Sequence, residues 1–236
     1  MNTEPTTTFI DEYGYRTEEW RNHDGRLHRE YGPAIISYNP DGNIYSEIYY
    51  QHGKEHRDNA PAHITYNQDG NISREAYYQH GKEHRDDGPA RIEYNRDGTT
   101  WSETYYREGQ LHRDGAPAHI TYNQDGTIWK EYYYQNGKEH RDDGPARIVY
   151  YDDGTIWKEE YWRDGQLHRI DGPARIEYFD DGTIWKEEYW QDGKQYTPTT
   201  RDVKNTLNTK LEAIKQRNNT KTPVVKHDRK PGRTLS

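Results

Sequence analysis

The chain of 236 residues has no cysteine and only one methionine. Without cysteine it has no disulfide framework and no cysteine-based zinc site. Ile, Leu, Val and Phe make up about 12% of the residues, below the level of about 20% under which disorder is suspected. However, the chain holds 23 Tyr and 7 Trp, and disordered chains are poor in aromatic rings. The composition therefore excludes a conventional aliphatic core and indicates a fold built largely on aromatic side chains.

Long apolar runs and recognised catalytic motifs are also missing. No stretch approaches the roughly 18 apolar residues of a membrane-spanning helix, and Met1–Phe9 lacks the basic and apolar regions of a secretory signal. We therefore expect a cytoplasmic protein (in the host cytoplasm if the gene is viral) without membrane contact. Because no phosphate-binding loop, nucleophile motif or metal-ligand motif stands out, the sequence predicts no enzyme activity, no cofactor and no metal.

The net charge of −8 is unevenly distributed along the chain. Residues 197–236 carry a net charge of +7, whereas the residues before them carry −15. Phosphate groups and anionic lipids are attracted to cationic surfaces, so the acidic body disfavours both. Contact with nucleic acid is expected only through the basic residues 218–236.

Proline, glycine and histidine recur with a constant period of 28 residues. This period defines six copies without insertions over residues 13–196, preceded by an N-terminal lead at 1–12. The recurring residues include Pro33, Pro61, Pro89, Pro117, Pro145 and Pro173, and His28, His56, His84, His112, His140 and His168, each His followed by Arg. A fixed period of this length is typical of a repeat architecture.

Each copy has the pattern of a β-hairpin followed by a short return. In the fifth copy Ala146, Ile148 and Tyr150 alternate with other residues, as in a strand with one apolar face. Residues 152–154 have the Asp-Gly pattern of a hairpin turn, and residues 155–162 form a second β-branched and aromatic strand. Because a lone hairpin is only marginally stable, the sequence predicts an all-β, elongated array of six stacked hairpins in a single sheet.

Residues 157–168 (WKEEYWRDGQLH) and 178–182 (YFDDG) resemble MORN-type hairpin repeats. They are most similar to the divergent bacterial and viral variety labelled YwqK-type antitoxin repeats, and the resemblance covers about 180 residues. The period of 28 is longer than that of the family, and Lys, Ser or Arg replaces the glycine that usually follows the first aromatic residue. The resemblance implies a β-hairpin scaffold or binding surface, a protein partner if the antitoxin label applies, and a phage or giant-virus origin.

Two aromatic rows are the candidate binding residues. Alternation places Trp157, Glu159 and Tyr161 on one face of the second strand, and Trp162 on the other. The corresponding candidates are Trp101, Trp129, Trp157 and Trp185 with Glu103, Glu131, Glu159 and Glu187, and on the other face Tyr134, Trp162 and Trp190. The rings can be the core, since aromatic cross-strand pairs stabilise sheets, or an exposed trough that stacks a ligand. A single sheet cannot bury rings on both faces, so one row should be exposed.

The repeated His-Arg pairs do not predict a metal site. Copies spaced by two strands are about 10 Å apart, whereas ligands to one zinc ion lie about 2 Å from it. We expect these side chains to bond the Asp and the backbone of the adjacent turn instead.

The C-terminal region has a different character from the array. Val203, Leu207, Leu211 and Ile214 share one helical stripe, which predicts an amphipathic helix at 197–217. It would cover the open edge of the last strand or bind a partner or a second copy. Residues 218–236 are expected to form a flexible basic tail.

These patterns leave two classes of function open. The first is a non-catalytic interaction or scaffold protein that binds another macromolecule through an acidic and aromatic surface. A basic protein is the partner that such a surface favours. The interaction protein would act as an inhibitor of the antitoxin or viral counter-defence type. The alternative is a module that binds carbohydrate or a small ligand through its Trp and Tyr rows. Imitation of DNA is less favoured, because the body carries less than half the charge of a duplex of equal length.

Overall fold

The computed structural model describes residues 4–200 as an all-β repeat array. The strands, in chain order, are β1 (Thr7–Ile10), β2 (Arg16–Glu19), β3 (Ile35–Tyr38), β4 (Ile44–Ile48), β5 (Tyr50–Gln51), β6 (Lys54–Glu55), β7 (His63–Tyr66), β8 (Ile72–Ala76), β9 (Tyr78–Gln79), β10 (Lys82–Glu83), β11 (Arg91–Tyr94), β12 (Thr100–Thr104), β13 (Tyr106–Arg107), β14 (Gln110–Leu111), β15 (His119–Tyr122), β16 (Ile128–Tyr132), β17 (Tyr134–Gln135), β18 (Lys138–Glu139), β19 (Arg147–Tyr150), β20 (Ile156–Glu160), β21 (Trp162–Arg163), β22 (Gln166–Leu167), β23 (Arg175–Tyr178), β24 (Ile184–Gln191) and β25 (Lys194–Tyr196).

Fifteen of these strands form one antiparallel main sheet. Its order is β1-β2-β3-β4-β7-β8-β11-β12-β15-β16-β19-β20-β23-β24-β25, so each hairpin lies beside the next hairpin in the chain. With a strand spacing of about 4.8 Å, the sheet is on the order of 65 Å wide. The prediction of an all-β array of stacked hairpins is confirmed.

The return of each copy is itself a small hairpin. The strand predicted at 155–162 breaks at Tyr161, whose N–H donates to the carbonyl of Ala174 at 2.7 Å. After the break, β21 and β22 form a separate two-stranded sheet. Successive short hairpins are joined by a backbone bond, such as Gly165 N–H to the carbonyl of Glu139 at 2.9 Å. The copies therefore contact one another both in the main sheet and along the short hairpins.

The predicted N-terminal lead contributes a strand of the sheet. β1 pairs with β2 to form a hairpin that precedes the six predicted copies, so the described residues contain seven main-sheet hairpins. The first hairpin is a shortened copy. Its signal in the sequence is Pro5 and Gly14, which lie 28 residues before Pro33 and Gly42.

A β-bulge recurs in the other six main-sheet hairpins. In the hairpin of β19 and β20, Val149 pairs with Lys158 and Tyr150 pairs with Ile156, so Trp157 is left without a partner. A bulge of this kind redirects side chains and increases strand twist. The unpaired residue is Tyr45, Ser73, Trp101, Trp129, Trp157 and Trp185 in successive copies.

The fully buried positions are small and aliphatic rather than aromatic. An alanine just before each first strand has no exposed surface, and four isoleucines of the first strands are 6–8% exposed. These residues are Ala34, Ala62, Ala90, Ala118, Ala146 and Ala174, with Ile64, Ile120, Ile148 and Ile176. The alternative in which Trp101, Trp129, Trp157 and Trp185 form the core is therefore wrong, since these rings are 37–58% exposed. Among the described aromatic residues only Trp20 is buried, at 5% exposure.

The described residues divide into two compact units, one of residues 4–169 and 173–196 and the other of residues 170–172 and 197–200. All the strands belong to the first unit. The helix predicted at 197–217 lies outside the described residues from position 201 onward, as does the whole basic tail predicted at 218–236. Within residues 4–200, no helix has the length and apolar character needed to cross a membrane.

Candidate functional site

One face of the main sheet carries an unbroken ladder of hydrogen bonds between tyrosine hydroxyls and glutamate carboxylates, and is here called the tyrosine face. The hydroxyl of Tyr150 donates to Glu131 Oε2 of the preceding copy at 2.8 Å, and Tyr178 donates to Glu159 at 2.8 Å. Four further pairs repeat this contact at 2.7–3.1 Å: Tyr38–Glu18, Tyr66–Glu47, Tyr94–Glu75 and Tyr122–Glu103. Because hydrogen bonds to a charged group contribute about 1.5–3 kcal/mol each, the ladder joins every hairpin to the next.

The Tyr-Glu contact changes the acidity of the phenols on the tyrosine face. Burial raises the pKa of Tyr150 above its ordinary value, and the hydrogen bond and negative charge of Glu131 raise it further. The same causes raise the pKa of Tyr178 beside Glu159. These hydroxyls therefore remain protonated donors well above neutral pH.

The His-Arg pairs also stabilise the array of stacked hairpins. The guanidinium of Arg141 lies 4.0 Å from the ring centroid of Tyr133, and its Nη1 donates to the carbonyl of Pro145 at 3.3 Å. His140 Nδ1 accepts from the backbone N–H of Asp164, 24 residues later, at 3.2 Å. Asp164 has a positive φ of 52°, so the histidine stabilises a turn in a sparsely allowed conformation. The interpretation of these pairs as contacts to adjacent turns is confirmed.

The opposite face of the sheet carries an alternating charge ladder in the later copies. Glu160, which is 3% exposed, accepts from Arg175 Nε at 2.8 Å, Arg147 Nη1 at 3.2 Å and Lys158 Nζ at 2.8 Å. Burial alone would raise the pKa of Glu160, but the three cations hold it below the ordinary value. Arg147 also pairs with Glu139. The inner strip of this face, defined by Arg147, Lys158, Glu160, Arg175, Lys186 and Glu188, is therefore saturated by contacts within the protein.

At the margin of this opposite face lies the tryptophan row, defined as the six bulge residues named above. Trp157 borders a small cavity of about 120 Å³ together with Val149, Lys158 and Glu160, so its ring is on the face opposite Glu159. The exposed fractions are 52% for Tyr45, 44% for Trp101, 37% for Trp129, 40% for Trp157 and 58% for Trp185. The bulge thus presents a partly exposed ring in five of the six copies, and Ser73 takes its place in the second.

This geometry corrects the predicted grouping of Trp157 with Glu159 and Tyr161. The unpaired bulge residue shifts the alternation by one, so Trp157 and Lys158 share a face and Glu159 points to the other. Glu103, Glu131 and Glu159 accept the Tyr122, Tyr150 and Tyr178 hydroxyls there, and Glu187 accepts from Tyr189 at 3.4 Å. The residue types gave no signal of this shift, because the consecutive residues that share a face, Trp157 and Lys158, are a ring and a charged side chain and do not read as one apolar face.

The second predicted aromatic row lies on the short hairpins and is half-buried. Tyr134 donates to Glu139 at 3.2 Å, and burial beside that carboxylate raises the pKa of Tyr134 to about 12. The indole N–H groups of Trp162 and Trp190 donate to Glu160 and Glu188 at 3.4 and 3.2 Å. These rings are engaged inside the protein, and the exposed aromatic row is the tryptophan row.

An aspartate row runs beside the tryptophan row in the turns of the main-sheet hairpins. It is defined by Asp97, Asp125, Asp153 and Asp181, which are all exposed. Oδ1 of Asp153 accepts from the Thr155 hydroxyl at 2.6 Å and from its N–H at 2.9 Å. These bonds, the one to the hydroxyl most of all, lower the pKa of Asp153, and the equivalent threonines do the same for the other three. The row is therefore a fixed line of negative charge, which sequence reasoning had recognised only as turns.

Within residues 4–200, no three His, Asp or Glu side chains converge as a metal ion requires. The larger cavities lie between return loops. One of about 370 Å³ is bordered by His84, Arg85, Tyr105, His112 and Asp114 among others. Its His side chains already accept the backbone N–H groups of Glu108 and Asn136 in the next copy, and Arg85 donates to Asp87 and Pro89 of its own loop.

Comparison with known proteins gives limited matches. A family model described as a MORN repeat variant matches residues 35–52, which contain β3, β4 and β5. No curated protein matches the chain. Among solved structures, the chain is similar to the alternansucrase ASR in complex with isomaltononaose, at 14% identity and a TM-score of 0.19. That match covers 83% of this chain but 16% of the enzyme chain, and so low a score carries no argument about fold, ligand or activity.

Proposed function

We propose that this MORN-like repeat protein is a non-catalytic interaction protein that binds another macromolecule through its tryptophan row. The match of the MORN repeat variant at residues 35–52 and the stacked β-hairpins of the sheet both support a repeat scaffold. The observation that carries the proposal is that five of the six β-bulges present an aromatic ring, and that these rings are 37–58% exposed. Contiguous exposed aromatic residues mark interaction sites.

The contrast with the rest of the sheet supports this assignment. On the tyrosine face and around Glu160, the side chains are engaged in contacts between copies, such as Tyr150 with Glu131 and Arg175 with Glu160. The bulge rings make fewer such contacts: the Trp129 ring lies under Lys130 at 3.5 Å, and the Trp185 ring lies 6.4 Å from Phe179. Trp and Tyr rings are also the residues that most often dominate binding energy at interfaces.

The aspartate row indicates the chemistry of the partner. A line of exposed, permanently charged carboxylates favours a partner with basic surface, because complementary charge speeds association and suppresses wrong partners. A protein partner in the cytoplasm fits this chemistry better than nucleic acid, whose phosphates the row repels. If the partner is a toxin or a host defence enzyme, binding would make the protein an inhibitor of the antitoxin or viral counter-defence type.

A capture experiment tests the proposal. The full chain and a Trp129→Ala/Trp157→Ala variant are used as baits in extracts of the native cell. We expect a stoichiometric partner on the first bait and at least a tenfold loss on the second, roughly the effect of removing one strong anchor. Tyr31→Ala is the matched control, since Tyr31 is 68% exposed but lies outside the tryptophan row. Capture that is equal on all three baits, or no stoichiometric partner, would contradict the proposal.

A carbohydrate or another small ligand is the second candidate, and the same observation favours it. Flat aromatic faces with polar neighbours also stack on sugar rings, and the aspartate carboxylates would accept hydrogen bonds from hydroxyl groups. A glycan array with the full chain distinguishes the two functions. Binding to a defined glycan that is lost in Trp129→Ala/Trp157→Ala would establish this candidate in place of the first.

A further inference from the structure

The spacing of the tryptophan row selects among the possible conformations of a bound peptide. Copies are related by two strands, so successive rings are about 9.4–9.8 Å apart. An extended β-strand presents the same face about every 6.8 Å, and two such intervals overshoot the spacing by nearly 4 Å. A polyproline II helix has three residues per turn and a rise of about 3.1 Å, which gives the same face about every 9.3 Å. Of these two conformations, only the polyproline II helix stays in phase with the rings over several copies.

The charge beside the row selects the side chains of that peptide. Asp153 and Trp157 are four residues apart, so their Cα atoms are separated by at most about 14 Å. The last two copies add Asp152 and Asp180 to the turns, and both are exposed. A polyproline II ligand with an apolar residue on each ring therefore has room to direct a Lys or Arg of the same turn toward the aspartate row.

The lysines next to the rings do not oppose this arrangement. Lys158 Nζ is 2.8 Å from Glu160 Oε1 and Lys186 Nζ is 2.6 Å from Glu188 Oε1, so both charges are paired on the inner strip. Lys130 lies over the Trp129 ring at 3.5 Å and would have to move aside for a ligand. The net charge facing a ligand over the last copies is thus set by the aspartates.

We infer that the tryptophan row of the last three copies binds a basic, proline-rich segment in the polyproline II conformation. This inference rests on the proposed interaction function and specifies its partner. Proline-rich segments bind aromatic-lined grooves because they lose little conformational entropy on binding. The sheet twist of about 20–25° per strand limits how far a straight ligand follows the row. A segment of about nine residues, or three turns, therefore matches Trp129, Trp157 and Trp185.

Fluorescence polarisation with labelled nine-residue peptides tests the inference on the full chain. The probe is (Pro-Pro-Arg)3, and (Gly-Ser-Arg)3 has the same charge without the polyproline II preference. We expect the first to bind at least about tenfold more tightly. Trp129→Ala/Trp157→Ala should lose that binding, whereas Tyr31→Ala should keep it, with circular dichroism confirming that each variant is folded.

A second pair of variants tests the role of charge. Asp153→Asn/Asp181→Asn keeps the oxygen that accepts the Thr N–H and hydroxyl bonds, so the turns should persist. We expect weaker binding of (Pro-Pro-Arg)3 and a smaller dependence on salt, while Asp142→Asn, 72% exposed in a return loop, should behave as the unmodified chain. Unchanged affinity and salt dependence in the double variant would contradict the basic character of the ligand.

Failure of the inference and failure of the proposed function give different results. Equal binding of both peptides, or binding that survives the Trp substitutions, would overturn the polyproline II inference even if the capture experiment recovers a partner. A glycan that binds through Trp129 and Trp157 while the proline peptide does not bind would likewise overturn it. Conversely, if the proline peptide binds through the row and no partner is captured, the inference holds and the cellular function is wrong.

Discussion

The two faces of the main sheet are built by the same strands, yet only one of them carries a set of residues that is the same in all six copies. On the tyrosine face, the positions of Ile148, Tyr150, Glu159 and Tyr161 hold the same residue in all six copies. On the opposite face, the position of Arg147 changes from copy to copy. Its occupants are Ile35, His63, Arg91, His119, Arg147 and Arg175.

The contacts between copies explain the difference. Tyr150 and its equivalents each donate to a glutamate of the preceding hairpin, as Tyr150 does to Glu131 and Tyr178 to Glu159, so neither partner can change without the other. Contacts on the opposite face are particular to single positions, such as Thr104 with His119 of the next copy at 2.9 Å, or Ser102 with Glu93 within one hairpin at 2.7 Å. The uniform face specifies how hairpins stack, whereas side chains on the opposite face vary from copy to copy.

Alkaline pH should have the largest effect, because it acts on the whole tyrosine face at once. Burial and Glu contacts raise the pKa values of these tyrosines above the ordinary value. Their contribution to stability is therefore complete below the unfolded pKa of about 10 and is lost as the pH rises through the folded pKa values. We expect tyrosinate absorbance near 295 nm to rise together with loss of the β-sheet circular dichroism signal. Titration of these tyrosines at about pH 10 in an intact sheet would contradict the account.

Glu160→Ala tests how much the inner strip of the opposite face contributes to stability. Removing one partner of a buried ion pair costs about 3–5 kcal/mol. Because the cations around Glu160 are 23–35% exposed, we expect a loss of about 2–3 kcal/mol in the free energy of unfolding by urea. Glu177→Ala is the control, since Glu177 is on the same face outside the ion pairs of Glu160. Equal losses for the two variants would show that the network has no special role.

Tyr150→Phe tests the tyrosine face by the removal of a single oxygen. It deletes the 2.8 Å bond to Glu131 and should cost about 1.5–2 kcal/mol, because the acceptor is charged and half-buried. The matched substitution Tyr45→Phe, in the 52% exposed ring at the first bulge, should cost less than about 0.5 kcal/mol. If Tyr45→Phe were the more costly change, the roles of the two faces would be reversed.

The fold was predictable because its signals are local and repeated. The 28-residue period, the Asp-Gly turns and the alternation at Ala146, Ile148 and Tyr150 are sufficient to predict stacked hairpins. The shortened first hairpin was missed because its copy has lost most of the repeated residues, although Pro5 and Gly14 keep the period.

The candidate site was only partly predictable, because a one-residue bulge decides which side chains share a face. Simple alternation groups Trp157 with Glu159, whereas the extra residue opposite Val149 separates them. The burial of Trp162 by the short hairpin likewise depends on the interruption of the strand at Tyr161, which β-strand propensity alone does not indicate. The exposed Trp residues were nevertheless among the predicted candidates, since a single sheet cannot bury both aromatic rows.

A substitution in the tryptophan row itself, also with a small expected effect, tests most directly whether the row is an exposed surface. As an exposed binding residue, Trp157, 40% exposed, should contribute little to folding although its side chain is larger than that of Tyr150. Unfolding by urea should show that Trp157→Ala lowers the free energy of unfolding by less than about 1 kcal/mol, which is less than the loss in Tyr150→Phe. A loss of about 3–5 kcal/mol, as expected for a core tryptophan, would show that the row is structural and would contradict its assignment as the binding surface.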